Sequence, residues 1–162
     1  MITENNTESV KANLDAFLGW ALDEVGMIVR DGAKEALETP IMHRGGHQYP
    51  TYDTGDLHGS ITFERQGTEG VRIGTPKEYA IYIEKGAKAH WTSVNNLLGW
   101  VSRKFWGMTE KEQTSIAYAI QRNMSKEDMP PMPFLEPGLW NNLDKVKRKL
   151  GGKEFDWKIV SK

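Results

Sequence analysis

The stretch Val71-Arg72-Ile73-Gly74-Thr75-Pro76-Lys77-Glu78-Tyr79-Ala80-Ile81-Tyr82-Ile83-Glu84-Lys85-Gly86 decides how the rest of the chain is read. Val71 and Ile73 alternate with polar neighbours, which is the period of a half-buried strand over Val71–Thr75. Pro76 ends that strand, because proline has no N–H for a ladder. Tyr79, Tyr82 and Ile83 then fit three-and-four spacing, so the tyrosine cluster predicts a short helix that opens into a strand or loop at Gly86. No nucleophile stands beside a base here, and no metal-ligand spacing occurs. The stretch reads as a structural hinge.

Working upstream, Thr54-Gly55-Asp56-Leu57 predicts a capped turn feeding a strand over Ser60–Arg65. Ile61 and Phe63 point one way there, and Thr62 and Glu64 the other. The loop Gln66–Gly70 carries two glycines and returns the chain to Val71. Together these elements make an antiparallel hairpin within residues 54–90.

Further upstream, residues 8–38 predict one long amphipathic helix. Val10, Leu14, Phe17, Leu18, Ala21, Leu22, Val25, Ile28 and Val29 fall three and four apart, which gathers them on one stripe. Asn5 to Thr7 offer N-caps, and Thr39-Pro40 stops the helix. Asp23, Arg30, Lys34, Glu35 and Glu38 lie opposite the stripe. Gly19, Gly26 and Ala33 recur every seven residues on the shoulder between the faces. A helical glycine costs about 1 kcal/mol against alanine, so close approach of another backbone is expected to offset it. That backbone belongs either to the protein's own sheet or to a neighbouring subunit. Between helix and hairpin, residues 39–54 form a loop rich in Gly, Pro and polar groups.

Downstream, residues 91–129 turn helical. Ser93 can cap a helix bearing Val94, Leu97, Leu98, Val101 and Phe105. Thr109 with Glu112 makes a capping box for a second, bearing Ile116, Ala117, Ile120 and Met124. Residues 130–152 comprise Pro130-Pro131-Met132-Pro133, which forces an extended backbone, and one last helix with Leu139, Leu143, Val146 and Leu150 on one face. In residues 153–162, Phe155, Trp157 and Ile159 alternate as in a strand, which could pair with its own sheet or a neighbour's edge. The fold class expected is α+β: a long helix packed on a small antiparallel sheet, a helical-hairpin insertion and a C-terminal helix, in a single domain.

Composition narrows the function classes. A chain of 162 residues buries a core without staples. There is no cysteine, which excludes disulfides, zinc–thiolate sites and thiol catalysis. A net charge of -1 sets up no global field toward nucleic acid or an anionic membrane. No apolar run approaches the ~20 residues that span a bilayer, and the polar, acidic start MITENNTESV is no signal peptide. Six tryptophans lean toward a partner-binding surface.

Candidate chemistry centres on the 39–54 loop, where His43, His47 and Asp53 would be the ligands of a metal-dependent hydrolase. Histidines four apart share a metal when a helix sets them on one face. Here Arg44-Gly45-Gly46 separates them, and the general-base glutamate is missing. Asp56 with Glu84 could form an acid pair, but an ion pair or a cap at the end of the tyrosine cluster is the preferred reading. Ser60 lacks the frame of a nucleophile elbow, and Gly67, Gly70 and Gly74 lack the G-K-[ST] of a phosphate loop. Lys145, Lys147, Arg148, Lys149 and Lys153 form a basic cluster without a base-reading motif, as expected of a solvated helix end. No catalytic set and no cofactor or metal site is expected.

Four blocks in order carry a resemblance. They are Thr54-Gly55-Asp56-Leu57 with Ser60-Ile61, Val71–Thr75, Tyr79–Gly86, and Pro131-Met132-Pro133-Phe134-Leu135-Glu136-Pro137. Over residues 8 to 150 the chain resembles the small tail-component proteins of long-tailed DNA phages: the neck, head–tail joining or tail-completion proteins. The helical insertion looks like the longer members of that family. The resemblance implies a non-enzymatic virion protein, made in the host cytoplasm. It implies a homo-oligomeric ring, commonly of six, between the head connector or adaptor and the tail terminator or tube, with DNA passing through and no membrane involved. Interface candidates are Tyr79, Tyr82, Glu84, Phe134, Trp140 and Trp157, with core packing the preferred role for Phe134 and Tyr79. The rival to both ring and hydrolase is a monomeric binding module whose aromatic tail pairs with a partner.

Overall fold

The computed structural model describes residues 7–39 and 53–151, together with the backbone of 41–42 and 48–49. Its elements in order are α1 (Thr7–Glu38), β1 (Ile41–Met42), β2 (Gln48–Tyr49), α2 (Asp56–Ser60), β3 (Thr62–Gln66), β4 (Gly70–Gly74), α3 (Ala80–Lys85), α4 (Val94–Lys104), α5 (Glu110–Met124), α6 (Leu135–Trp140) and α7 (Leu143–Lys149). The α+β class is as expected, with the long helix, an antiparallel hairpin and further helices. Two compact units divide the chain: one runs up to Ala80 and resumes at Pro133, and the other is Ile81–Met132.

In the first unit α1 is the axis. Gly26 lies under the Phe63 ring of β3, and Gly19 lies under the Arg65 guanidinium. At Gly19 and Gly26 the small-residue shoulder of α1 therefore answers to the protein's own hairpin, whereas at Ala33 it meets Gly138 of α6. Phe63 pairs with Ile73 and Arg65 with Val71 in an antiparallel register. That register turns Val71 and Ile73 onto the core cluster of Ala21, Val25, Ile28, Val29, Val146 and Leu150. Ile61 is buried, Phe63 half-buried, and Thr62 and Glu64 exposed, which is the alternation read from the sequence. The guanidinium of Arg30 sits 5.6 Å from the Phe63 ring centroid, adding a cation–π contact at the rim.

Three local expectations need correction. Residues 56–60 form a short helix where a turn was expected, so the strand begins at Thr62. Gly55 makes this possible with φ 83°, a left-handed conformation that costs glycine little. The Thr54 hydroxyl closes the corner by donating to Asp56 Oδ2 over 2.8 Å. Second, the 39–54 loop contains the β1–β2 pair, Ile41 facing Tyr49 and Met42 facing Gln48.

Third, the last helix is two helices. Asn142 Nδ2 donates to Gly138 O over 3.0 Å, taking the acceptor that its own backbone N–H would use in a continuous α-helix. The Asn142 N–H turns instead to Leu139 O at 3.1 Å. This break lets α6 lie backbone to backbone with α1. A Cβ on Gly138 would stand 2.6 Å from Ala33 N, so nothing larger than glycine fits without movement.

The second unit is a helical hairpin on a stem. Ala87 and Met129 exchange backbone hydrogen bonds of 3.0 and 2.8 Å, and His90 N–H reaches Met124 O at 2.9 Å. Asp128 fastens the same stem, accepting from Lys88 Nζ and from Ala89 N–H, both at 2.8 Å. Gly86 takes φ 77° beside the Met129 carbonyl. Above the stem, α4 and α5 bury Val101 and Ala117, and Gln121 Nε2 donates to Thr92 O at 2.6 Å.

Candidate assembly surfaces

Among the described residues, exposed aromatic side chains are densest in the second unit. Of its side chains, only Val101, Ala117 and Gln121 are fully withdrawn from solvent. Trp91, Trp106 and Tyr118 are exposed to 68%, 85% and 57%, and Trp100 and Met108 are also exposed. The reason lies in the sequence. Residues 105–108, Phe-Trp-Gly-Met, link α4 to α5, with Phe105 half-buried and Trp106, Gly107 and Met108 exposed.

The turn that presents Trp106 is held from both sides. Gln113 Nε2 donates to Phe105 O at 3.0 Å and to Met108 O at 3.1 Å. Trp100 stands edge-on to Phe105 with centroids 6.3 Å apart. The capping box expected at Thr109 is present: Glu112 Oε2 accepts from the Thr109 N–H at 2.8 Å, and Thr109 Oγ1 accepts from the Glu112 N–H. The backbone bond from Thr109, and then its hydroxyl, hold the Glu112 carboxyl below its ordinary value. A rigid aromatic tip of this kind suits insertion into a partner's pocket, since an anchor ordered before docking loses less entropy.

The structure distributes the sequence candidates unevenly. Phe134 is 1% exposed and lies in the interior of the first unit, the core role preferred for it over an interface. Trp140 is half-exposed at the end of α6. Tyr79 is 44% exposed, against the core role preferred for it. Partial burial first, and the Asp56 carboxylate second, hold its phenol above the ordinary value, so it stays a neutral hydroxyl donor. Tyr82 and Ile81 are exposed, and Glu84 is half-buried, in the second unit. Trp157 lies outside the described residues. The exposed tip at Trp106 was missed among the interface candidates, although the helix-ending run Phe-Trp-Gly-Met was the signal for it.

The hydrolase loop fares as follows. His43 and His47 lie outside the described residues, and Asp53 is exposed. Among the described residues no group of three or more His, Asp or Glu side chains is placed to hold a metal ion. Ser60 Oγ is engaged with Leu57 O at 2.8 Å and Thr75 Oγ1 at 2.6 Å, tying α2 to the end of β4. Among the described residues no helix is long and apolar enough to cross a membrane.

With this geometry in place, the comparison with known families is decisive. The model of the family described as "Bacteriophage HK97-gp10, putative tail-component" matches residues 3–86. The chain belongs to the HK97-gp10-like family. The match spans α1, the hairpin and α3, and so includes the first three of the four sequence blocks. The family is one of structural phage tail components, which places this protein in the virion. No curated protein and no solved structure gives a significant match.

Proposed function

We propose that this HK97-gp10-like protein joins head to tail, as a neck or tail-completion component that forms a ring around the DNA channel. Residues 8–38, the hairpin and the final helices build the subunit as one domain, with the helical hairpin inserted between them in the sequence. The observation that carries the reading is the aromatic tip at Trp106 and Met108, on a unit that buries few side chains of its own. Such a surface is expected of a protein whose work is to be held by neighbours. Tyr79, Tyr82, Glu84 and Trp140 supply further contacts. The near-neutral charge suits a channel wall along which DNA slides without being gripped, because tight binding would need many phosphate contacts.

The test is mass by light scattering on the free chain, then again after mixing with purified heads and with purified tails. A ring-sized species, free or only on particles, supports the assignment, and the particle that captures it identifies its side of the neck. A monomer that binds neither particle overturns it.

A further inference from the structure

The chain carries a net charge of -1, yet its positive charge is not spread evenly. In α7, Lys145, Lys147, Arg148 and Lys149 stand against one carboxylate, Asp144. That helix is therefore +3, and the rest of the chain -4. Burial sorts its residues. Val146 and Leu150 are 0% and 6% exposed, in the cluster with Ala21, Val25 and Ile28 of α1. Leu143 is half-buried, while Asp144 and all four cations are exposed. The inward side anchors the helix, and the outward side is cationic except at Asp144.

Two ordinary roles leave part of this face unexplained. A helix dipole favours cations only within the last turn, and Lys145 precedes that turn. Ion pairing absorbs one charge, with Lys149 Nζ 3.3 Å from Glu24 Oε2. Arg148 Nε donates to the Asp144 carbonyl at 3.3 Å, which leaves its charge unopposed. Among the described residues, Lys145, Lys147 and Arg148 have no salt-bridge partner. Lys145 also stands three and four positions from Arg148 and Lys149, where like charges repel and weaken a helix. A bound polyanion relieves that repulsion.

We propose that the outward face of α7 binds the phosphate backbone of duplex DNA. Its exposed positions carry no aromatic side chain and no Asn or Gln, so it lacks the groups that stack on bases or read their edges. No exposed apolar group accompanies the cations, as entry into a bilayer surface would need. Lys145 and Lys149 lie about 6 Å apart along the helix axis, close to the ~6.8 Å of two phosphate steps on one strand. Three or four such contacts hold DNA weakly and release it as salt rises, which suits passage rather than capture. DNA as the partner rests on the head-to-tail reading above, in which α7 lines the channel.

The test is fluorescence anisotropy of a labelled duplex of about 20 base pairs, titrated with the full chain at about 20 to 200 mM salt. Binding is expected at low salt and for any base sequence, with log K falling against log salt at a slope near -3, about 0.9 per phosphate. Lys145→Gln with Lys147→Gln should weaken binding about tenfold or more at low salt and reduce the slope by about 2. Lys11→Gln with Lys77→Gln removes the same charge elsewhere and should change neither. Equal affinity of the α7 variant and the parent overturns the proposal, as does an equal loss in the Lys11 and Lys77 variant. Absence of binding at the lowest salt overturns it too. Poly-glutamate or phosphatidylserine vesicles that displace the duplex at equal charge overturn it in favour of a protein or membrane partner. Light scattering on the same samples, with heads and with tails, separates the two readings. Assembly on particles without DNA binding sinks this proposal alone, and DNA binding without assembly sinks only the head-to-tail role.

Discussion

Gly138 and Gly19 are both glycines in close contact, yet they should respond oppositely to a methyl group. At Gly138 the new Cβ meets the Ala33 backbone, with N at 2.6 Å and Cα at 2.8 Å, and helical backbone cannot turn aside. Gly138→Ala is expected to destabilise the chain by about 1–3 kcal/mol, as overpacking does, read as a lowered urea midpoint. At Gly19 the neighbour is the far end of Arg65, which can swing. Its ion pair with Asp23 is 3.6 Å long between half-exposed side chains, so little is lost by displacing it. Gly19→Ala should be neutral or stabilising by up to about 1 kcal/mol in the same titration. The seven-residue recurrence of small residues was legible in the sequence. Which neighbour each one met was not, because a shoulder on a helix wheel looks the same against a sheet or a subunit.

At the scale of elements, the capping box of α5 was legible because both partners sit within one turn, and no distant contact can outweigh so short a loop. Thr109→Ala should cost about 1 kcal/mol, measured as a lower melting temperature with reduced helicity. Acid should loosen the second unit through two carboxylates. Glu112 is held low by Thr109, and Asp128 by its hydrogen bonds from Lys88 first and Ala89 second. A carboxylate whose folded value is depressed contributes stability that is complete above its unfolded value and is lost as pH falls through the folded one. Helicity should therefore be flat at neutral pH and fall below the ordinary carboxylate range. Glu112→Gln with Asp128→Asn should flatten that limb in circular dichroism, and an unchanged acid profile would count against both contacts. The break between α6 and α7 was not legible. Leu139, Leu143, Val146 and Leu150 keep helical spacing across it, and only the close approach of α6 to α1 makes the bent form better than a straight helix. The short helix Asp56–Ser60 was hidden similarly, since a capped turn and a first helical turn share the same opening residues.

For the whole molecule, the exposed tip separates folding from assembly. Trp106 is 85% exposed, so Trp106→Ser with Met108→Ser should leave the melting temperature unchanged. If the tip enters a partner, the same variant should fail to incorporate when mixed with heads and tails, and normal incorporation would move the contact elsewhere. Family membership, the long helix, the hairpin and the helical insertion were all determined by the sequence, because each rests on periodicity, turn residues or a cap that acts over a few positions. The tertiary structure decided which apolar residues are core and which are surface. Phe134 went inside, Tyr79 came half out, and one stripe of α1 was divided at Ala21 into a covered and a bare half. Periodicity fixes the face on which a side chain lies, but burial depends on which distant residues cover it, and Val146 and Leu150 cover Ala21, Val25 and Ile28.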